Sequence, residues 1–318
     1  MSKSNDSKSI ARKAGIHADL LAPLKENGKA PTAGRLQVQK TYKIYIDGKF
    51  PRTESGRYYK LKDKKGNTIA NICRCTRKDF RDAVVAARKA FEKWSALTAF
   101  HRGQIIYRIA EMLEGRSAQF VAEMIQQGHS VEAATREMGI SIDRVVYYAG
   151  WADKYQQVFS SVNPVNASYF NFSLCEPTGV VAIIADEETA LTGLLSVMLP
   201  AITGGNSCVV LASQSYPMTA VTLAEVLHAS DVPAGVVNIL TGLRKELLPH
   251  FASHMDVNAI VYCGESQPDI KMVQEAAAFN VKRAVIYHHK DWLQPASQGP
   301  YFILDTQEIK TTWHPVGI

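Results

Sequence analysis

No stretch of the sequence approaches the roughly 18–20 uninterrupted apolar residues that a membrane span needs. The N-terminus also lacks the continuous apolar core of a secretory signal. The expectation is a cytoplasmic chain without membrane contact. Cysteine is scarce as well: there are five in 318 residues, an odd number, scattered and mostly set in apolar, strand-like runs. That usage suits reduced, buried thiols and not a disulfide framework. Cys73-Arg74-Cys75 has one intervening residue where a redox or zinc pair has two, and no histidine pair follows at finger spacing, so no metal site is expected. After Tyr287 there is no cysteine at all.

What is present is ordinary for a folded protein: 46% hydrophobic and 21% charged residues. The net charge of +6 owes much to the first forty residues, where Lys3, Lys8, Arg12, Lys13, Lys25, Lys29, Arg35 and Lys40 face only Asp6, Asp19 and Glu26. Those acids argue against an organelle transit peptide. Residues 1–40 therefore read as a basic, disordered tail, with too little apolar surface to offset ordering entropy. A nucleic-acid binder acting through this tail is the disfavoured alternative.

Beyond the tail, Tyr42 to Ile46 alternates before Asp47-Gly48, a hairpin turn signal, and a short meander from Tyr58 to Cys75 turns at Lys65-Gly66-Asn67. Phe80, Val84, Ala87, Phe91 and Trp94 then fall at helical spacing, with Asp79 and Asp82 at the positive end. Two longer helical stretches follow, from His101 to Gly128 and from Val131 into Phe159, and an extended segment runs from Asn163 to Leu174. From Gly179 onward short, continuous apolar runs alternate with helical patterns, as in a parallel sheet buried on both faces. The fold class expected is α/β: a Rossmann-like parallel sheet of four or five strands with helices on both faces, preceded by a short β meander and a helical segment.

Several motifs in register carry a family resemblance. They are Pro177-Thr-Gly-Val-Val181, Pro200-Ala201 with Gly205-Asn206, Asp231-Val-Pro-Ala-Gly-Val-Val-Asn-Ile-Leu-Thr-Gly242, His254-Met-Asp-Val257 and Gly264. From about Tyr42 to Ile286 the chain resembles the aldehyde dehydrogenase superfamily. The resemblance implies a cofactor-binding domain over residues 41–290, a C-terminal extension over 291–318, and no catalytic domain. It also implies that the family's returning strand, which completes its oligomerisation sheet, is missing. Gly242, Gly264 and Ser266, just past strand ends, are the candidate cofactor contacts.

The same register puts unsuitable residues at the chemical positions. Family chemistry needs a cysteine thiolate, an oxyanion donor, a nicotinamide to take hydride, and a carboxylate base. Glu188 stands where the family's oxyanion asparagine is expected. Leu211 and Gln214 stand at its ribose-binding lysine and glutamate, and Glu265 at the pyrophosphate serine. Tyr287 takes the place of the general-base glutamate, and a tyrosine cannot act as that base near neutral pH without a large pKa shift. His288 and His289 lie one and two positions further along and are weak substitutes.

The resemblance thus implies a degenerate member, like the second module of tandem aldehyde dehydrogenases, with no catalytic residue. No cofactor is expected, and any NAD(P) contact should be weak. The leading reading is a partner or regulatory subunit of a competent full-length aldehyde dehydrogenase, or a self-associating chain. Its contact would be the strand from Asn163 to Leu174, with Tyr169, Phe170 and Phe172 on an edge left unpaired in a monomer. The alternative is an NAD(P)-dependent oxidoreductase acting on aldehydes.

Overall fold

A computed structural model describes residues 39–317; the basic tail up to residue 38 lies outside the described residues. The chain opens with a small sheet of β1 (Thr41–Tyr42), β2 (Tyr58–Lys62) and β3 (Thr68–Cys73) in the order β1-β3-β2. The expected turn is present: Ile46 and Lys49 pair, with Asp47 and Gly48 both at positive φ, 51° and 71°. Two successive left-handed residues give the type I′ geometry that suits a two-residue hairpin. The run before it is strand only at Thr41–Tyr42, parallel to β3, after which Tyr45 bridges to Ile239 of the central sheet.

Five helices follow where three stretches were expected. They are α1 (Arg77–Ser95), α2 (Ala99–Gly115), α3 (Ser117–Gln126), α4 (Val131–Trp151) and α5 (Tyr155–Phe159). The second stretch breaks at Arg116, whose backbone (φ −111°, ψ 10°) leaves the helical region. The apolar pattern continues across the break, so periodicity alone could not locate it. Ser130 caps α4 by accepting from the Ala133 amide at 3.1 Å. Ser130→Ala is expected to cost about 1 kcal/mol, measured as a lowered denaturation midpoint at unchanged slope.

The central sheet contains β6 (Val180–Ile184), β7 (Ser207–Leu211), β8 (Val237–Leu240), β9 (Ala259–Cys263) and β10 (Arg283–Tyr287), all parallel, in the order β10-β9-β6-β7-β8. Its crossovers are α6 (Thr192–Thr203), α7 (Pro217–Ala229), α8 (Arg244–Ser253) and α9 (Gln267–Ala278). Strand residues alternate between two cores. Val181, Ile183, Cys208 and Val210 face α2, α4, α6 and α7, whereas Val180, Ala182, Val209 and Leu211 face α1, α8 and α9. Both faces are covered, which is why these strands read as unbroken apolar runs. Because β6 lies between β7 and β9, successive strands are added first on one side of β6 and then on the other, and a crevice opens at the carboxyl ends of β6 and β9.

The third sheet corrects an expectation. β5 (Tyr169–Pro177) pairs with β4 (Ser161–Asn163) on one side and with β11 (Gln307–Pro315) on the other, in antiparallel register from Gln307↔Pro177 to Pro315↔Tyr169. A strand thus does return to β5, and the strand from Asn163 to Leu174 is not left unpaired. The C-terminal segment supplies its partner, and alternation at Ile309, Thr311 and Trp313 was its signal in the sequence. Nor do residues beyond 290 stand apart. Trp292 is buried in the core, a short helix α10 (Tyr301–Leu304) packs on α6, and Asn206 Nδ2 donates to the Thr306 carbonyl at 3.0 Å.

Candidate active-site cleft

The crevice is a cleft of about 320 Å³ lined by residues 186–188 after β6, by Tyr262 to Ser266 at the end of β9, by Tyr287, His289, Lys290 and Trp292 after β10, and by Arg244 from the start of α8. Asp186 shapes its floor. Its buried carboxylate accepts from the amides of Glu188 (3.1 Å) and Thr189 (2.8 Å) and from the Thr189 hydroxyl (2.9 Å). Burial raises its pKa, and those hydrogen bonds oppose the shift. The nearby positive end of α6 is already neutralised. Glu137, 3% exposed, accepts from the Leu191 amide at 2.7 Å and the Thr192 amide at 3.2 Å.

Two further lining residues are Glu187 and Arg244, neither of which the sequence motifs singled out. The Glu187 carboxylate accepts from Ser213 Oγ (2.8 Å), the Gln214 amide (3.0 Å) and the Ser215 amide (3.0 Å), all on the loop after β7. Its other partner is Arg244, at 3.3 Å. The guanidinium also donates to the carbonyls of Cys263 (3.3 Å) and Ala185, so it spans the gap between the ends of β9 and β6. A carboxylate near the start of β6's loop and an arginine shortly after a strand-end glycine carry no motif, which is why the sequence did not reveal the pair.

The expected site residues divide. Glu188, Gly264, Glu265, Ser266 and Tyr287 do line the cleft. A Cβ at Gly264 would lie 3.0 Å from both Arg244 Nη1 and Tyr262 Oη, so the missing side chain makes room for the protein's own arginine. Glu188 is exposed, and Glu265 sits 2.8 Å from His289 Nδ1 across the mouth. Ser266 caps α9, accepting from the Asp269 amide at 3.4 Å. Gly242 is not part of the lining. Its bareness serves packing, since a Cβ there would meet Leu247 Cδ1 at 2.8 Å. Leu211 is core, and Gln214 turns its amide oxygen toward the Arg244 amide at 3.4 Å.

Tyr287 is held by structure. Its ring packs against Trp292 and Phe302 at centroid distances of 5.7 and 5.1 Å, and its hydroxyl donates to Asp305. Burial, with the Asp305 carboxylate beside it, drives this phenol well above the ordinary tyrosine range. Cys263 is the cysteine among the cleft-lining residues, and burial pushes its thiol far above the usual range, leaving no thiolate near neutral pH. Among the described residues, no group of three or more His, Cys, Asp or Glu is placed to hold a metal ion. No described helix is long and apolar enough to cross a membrane.

A model of the aldehyde dehydrogenase family matches residues 50–287. The chain belongs to the aldehyde dehydrogenase family. It is 32% identical over 260 residues to cytosolic aldehyde dehydrogenase 1 of Elephantulus edwardii, covering 79% of this chain and 50% of that protein. To the cytosolic 10-formyltetrahydrofolate dehydrogenase of Mus musculus it is 30% identical over 258 residues, covering 78% of this chain and 28% of the relative. PnpE in complex with nicotinamide adenine dinucleotide superposes with a TM-score of 0.73 at 29% identity, over 77% of this chain and 50% of that one. HpcC of Thermus thermophilus shares the fold, with a TM-score of 0.76 at 24% identity, over 86% and 51% of the two chains. The chain thus spans about half the length of the first curated relatives it matches, 50% and 54% of them.

The family fold implies a nicotinamide dinucleotide at this crevice, which holds such ligands by free amides and by close backbone approach. Here the approach past Gly264 is taken by Arg244, and on the neighbouring loop after β7 the amides of residues 214 and 215 carry Glu187.

Proposed function

We propose that this chain is a non-catalytic member of the aldehyde dehydrogenase family that acts by association, with a competent homologue or with a second copy of itself. The observation that carries the reading is the β11-β5-β4 sheet. One face presents Val162, Phe170 and Leu174 to solvent, and the other presents Tyr169, Ile309 and Trp313. Large apolar side chains gathered on one small sheet are unusual for a monomer and mark an interaction surface. β5 is paired along its length by β11 and over three residues by β4, so the longest open edge belongs to β11, nine residues long. The cleft supports the non-catalytic half of the reading: the base position is a phenol locked onto Asp305, and the lining thiol is buried.

In light scattering and in pull-downs from native lysate, the chain is expected to self-assemble or to recover an aldehyde dehydrogenase. Phe170→Asp with Trp313→Asp should abolish both. A monodisperse monomer that recovers no dehydrogenase would sink the proposal. Incubation with aldehydes and NAD or NADP is expected to yield no reduced cofactor.

An NAD(P)-dependent aldehyde oxidoreductase is the second reading, favoured by the fold shared with PnpE in complex with nicotinamide adenine dinucleotide. Aldehyde-dependent cofactor reduction that disappears in Cys263→Ser would establish it. Binding of nucleic acid through the basic tail would appear as salt-sensitive retention on duplex DNA, lost when residues up to Lys40 are removed.

A further inference from the structure

We propose that Glu187 is a built-in ligand of the dinucleotide crevice. With Arg244 it forms an intramolecular gate that occupies the donors of the loop after β7 against an anionic nicotinamide dinucleotide. The inference rests on reading the crevice as the family's dinucleotide cleft, and it adds the device that excludes the ligand.

The geometry is that of a seated ligand and not of a surface ion pair. A free carboxylate at the end of β6 could be solvated at little cost. Instead, both oxygens of Glu187 are used, on one hydroxyl and two backbone amides of the loop after β7, and Arg244 closes the fourth side. Gln214, whose amide is one of the donors, stands where the resemblance places a ribose-holding glutamate. Arg244 completes the closure from the other side, bonded to the carbonyls of Ala185 and Cys263 and lying 5.6 Å from the Tyr262 ring centroid. A dinucleotide that takes its hydrogen bonds from those amides and from Arg244 must displace the carboxylate and part the ion pair. Its apparent affinity is then reduced by the small fraction of molecules in which the gate is open.

Charge-assisted hydrogen bonds of this kind are individually stronger than neutral ones. Glu187→Ala is therefore expected to bind NADH about ten- to a hundredfold more tightly than the wild type, read by enhancement of NADH fluorescence on the full chain. Glu187→Gln, which can still accept from the amides but loses the charge paired with Arg244, should gain less. Glu188→Ala is the control: it removes the same charge from the same loop at an exposed side chain that accepts none of these bonds, and it should gain little.

Equal binding by the wild type and Glu187→Ala overturns the gate. So does equal gain in Glu188→Ala, which would make the effect one of overall cleft charge, and so does no gain in a Glu187→Ala protein of normal melting temperature. A second measurement needs no variant. The amides of Gln214 and Ser215 should exchange slowly with deuterium in the wild type, and rapid exchange overturns the seat directly. These results are separate from the proposed function. A failed gate leaves the absence of aldehyde oxidation unchanged, whereas aldehyde oxidation by the wild type defeats the non-catalytic reading whatever the gate does.

Discussion

Replacing Arg144 with methionine is expected to release the C-terminal segment from the body and to cost about 3 kcal/mol of stability. Arg144 is only 1% exposed. Its Nη1 donates to Ser196 Oγ and to the Ser297 carbonyl, both at 2.6 Å, and its Nη2 to the carbonyls of Trp292 (3.0 Å) and Gln294 (3.4 Å). One side chain thus holds three carbonyls of the turn that follows β10. Burial lowers the arginine's pKa, although not enough to discharge a guanidinium at any ordinary pH. Methionine removes the cost of burying the charge but leaves those carbonyls without donors, and an unmet buried acceptor costs more than a made bond contributes. Loosening of Trp292 should then free Tyr287, which packs against it. Limited proteolysis should cut the variant between Tyr287 and Pro300 and leave the wild type intact there. Equal resistance and an unchanged denaturation midpoint would refute the clasp.

The second large effect is a pH dependence centred on Lys282. This lysine is buried at the base of β10, and its ammonium donates to the carbonyls of Phe251, Ala252 (2.6 Å) and His254 (3.0 Å) at the end of α8. Burial pushes its pKa down to about 8 from the ordinary value of 10.5. Between those values the unfolded chain binds the proton that the folded chain has released, so stability rises with pH across that window. Below pH 8 both states are protonated, and the burden of the buried charge is fully present. The rise should reach up to about 3 kcal/mol from pH 8 to 10.5. Lys282→Met should abolish it, seen as a flattening of unfolding free energy against pH. A wild-type slope matching that of Lys282→Met through this window would refute the assignment.

The sequence and the structure agree best where burial is two-sided. The apolar runs of β6, β7 and β9 mark the middle of the parallel sheet because each must satisfy two cores at once. The family motifs mark their ends because only particular residues make those turns. Glu188, Glu265 and Tyr287 could also be placed in the cleft by register alone, since two follow a strand by a fixed count and Tyr287 ends one. Gly242 failed the same reasoning, because a strand-end glycine serves packing as readily as it serves a ligand, and Leu247 claims the space.

By itself, then, the sequence determined the family and the α/β order, and it put Glu188, Glu265 and Tyr287 at counted positions, because those depend on periodicity and on residue identity in register. Only the tertiary structure decided what surrounds those positions. It brought Glu187, Arg244 and the loop after β7 together from three separate crossovers. It returned residues 307–315 to the flank of β5, and it locked Tyr287 onto Asp305. Each is a contact between segments distant in the chain, set by how helices and strands pack, and no local pattern encodes that.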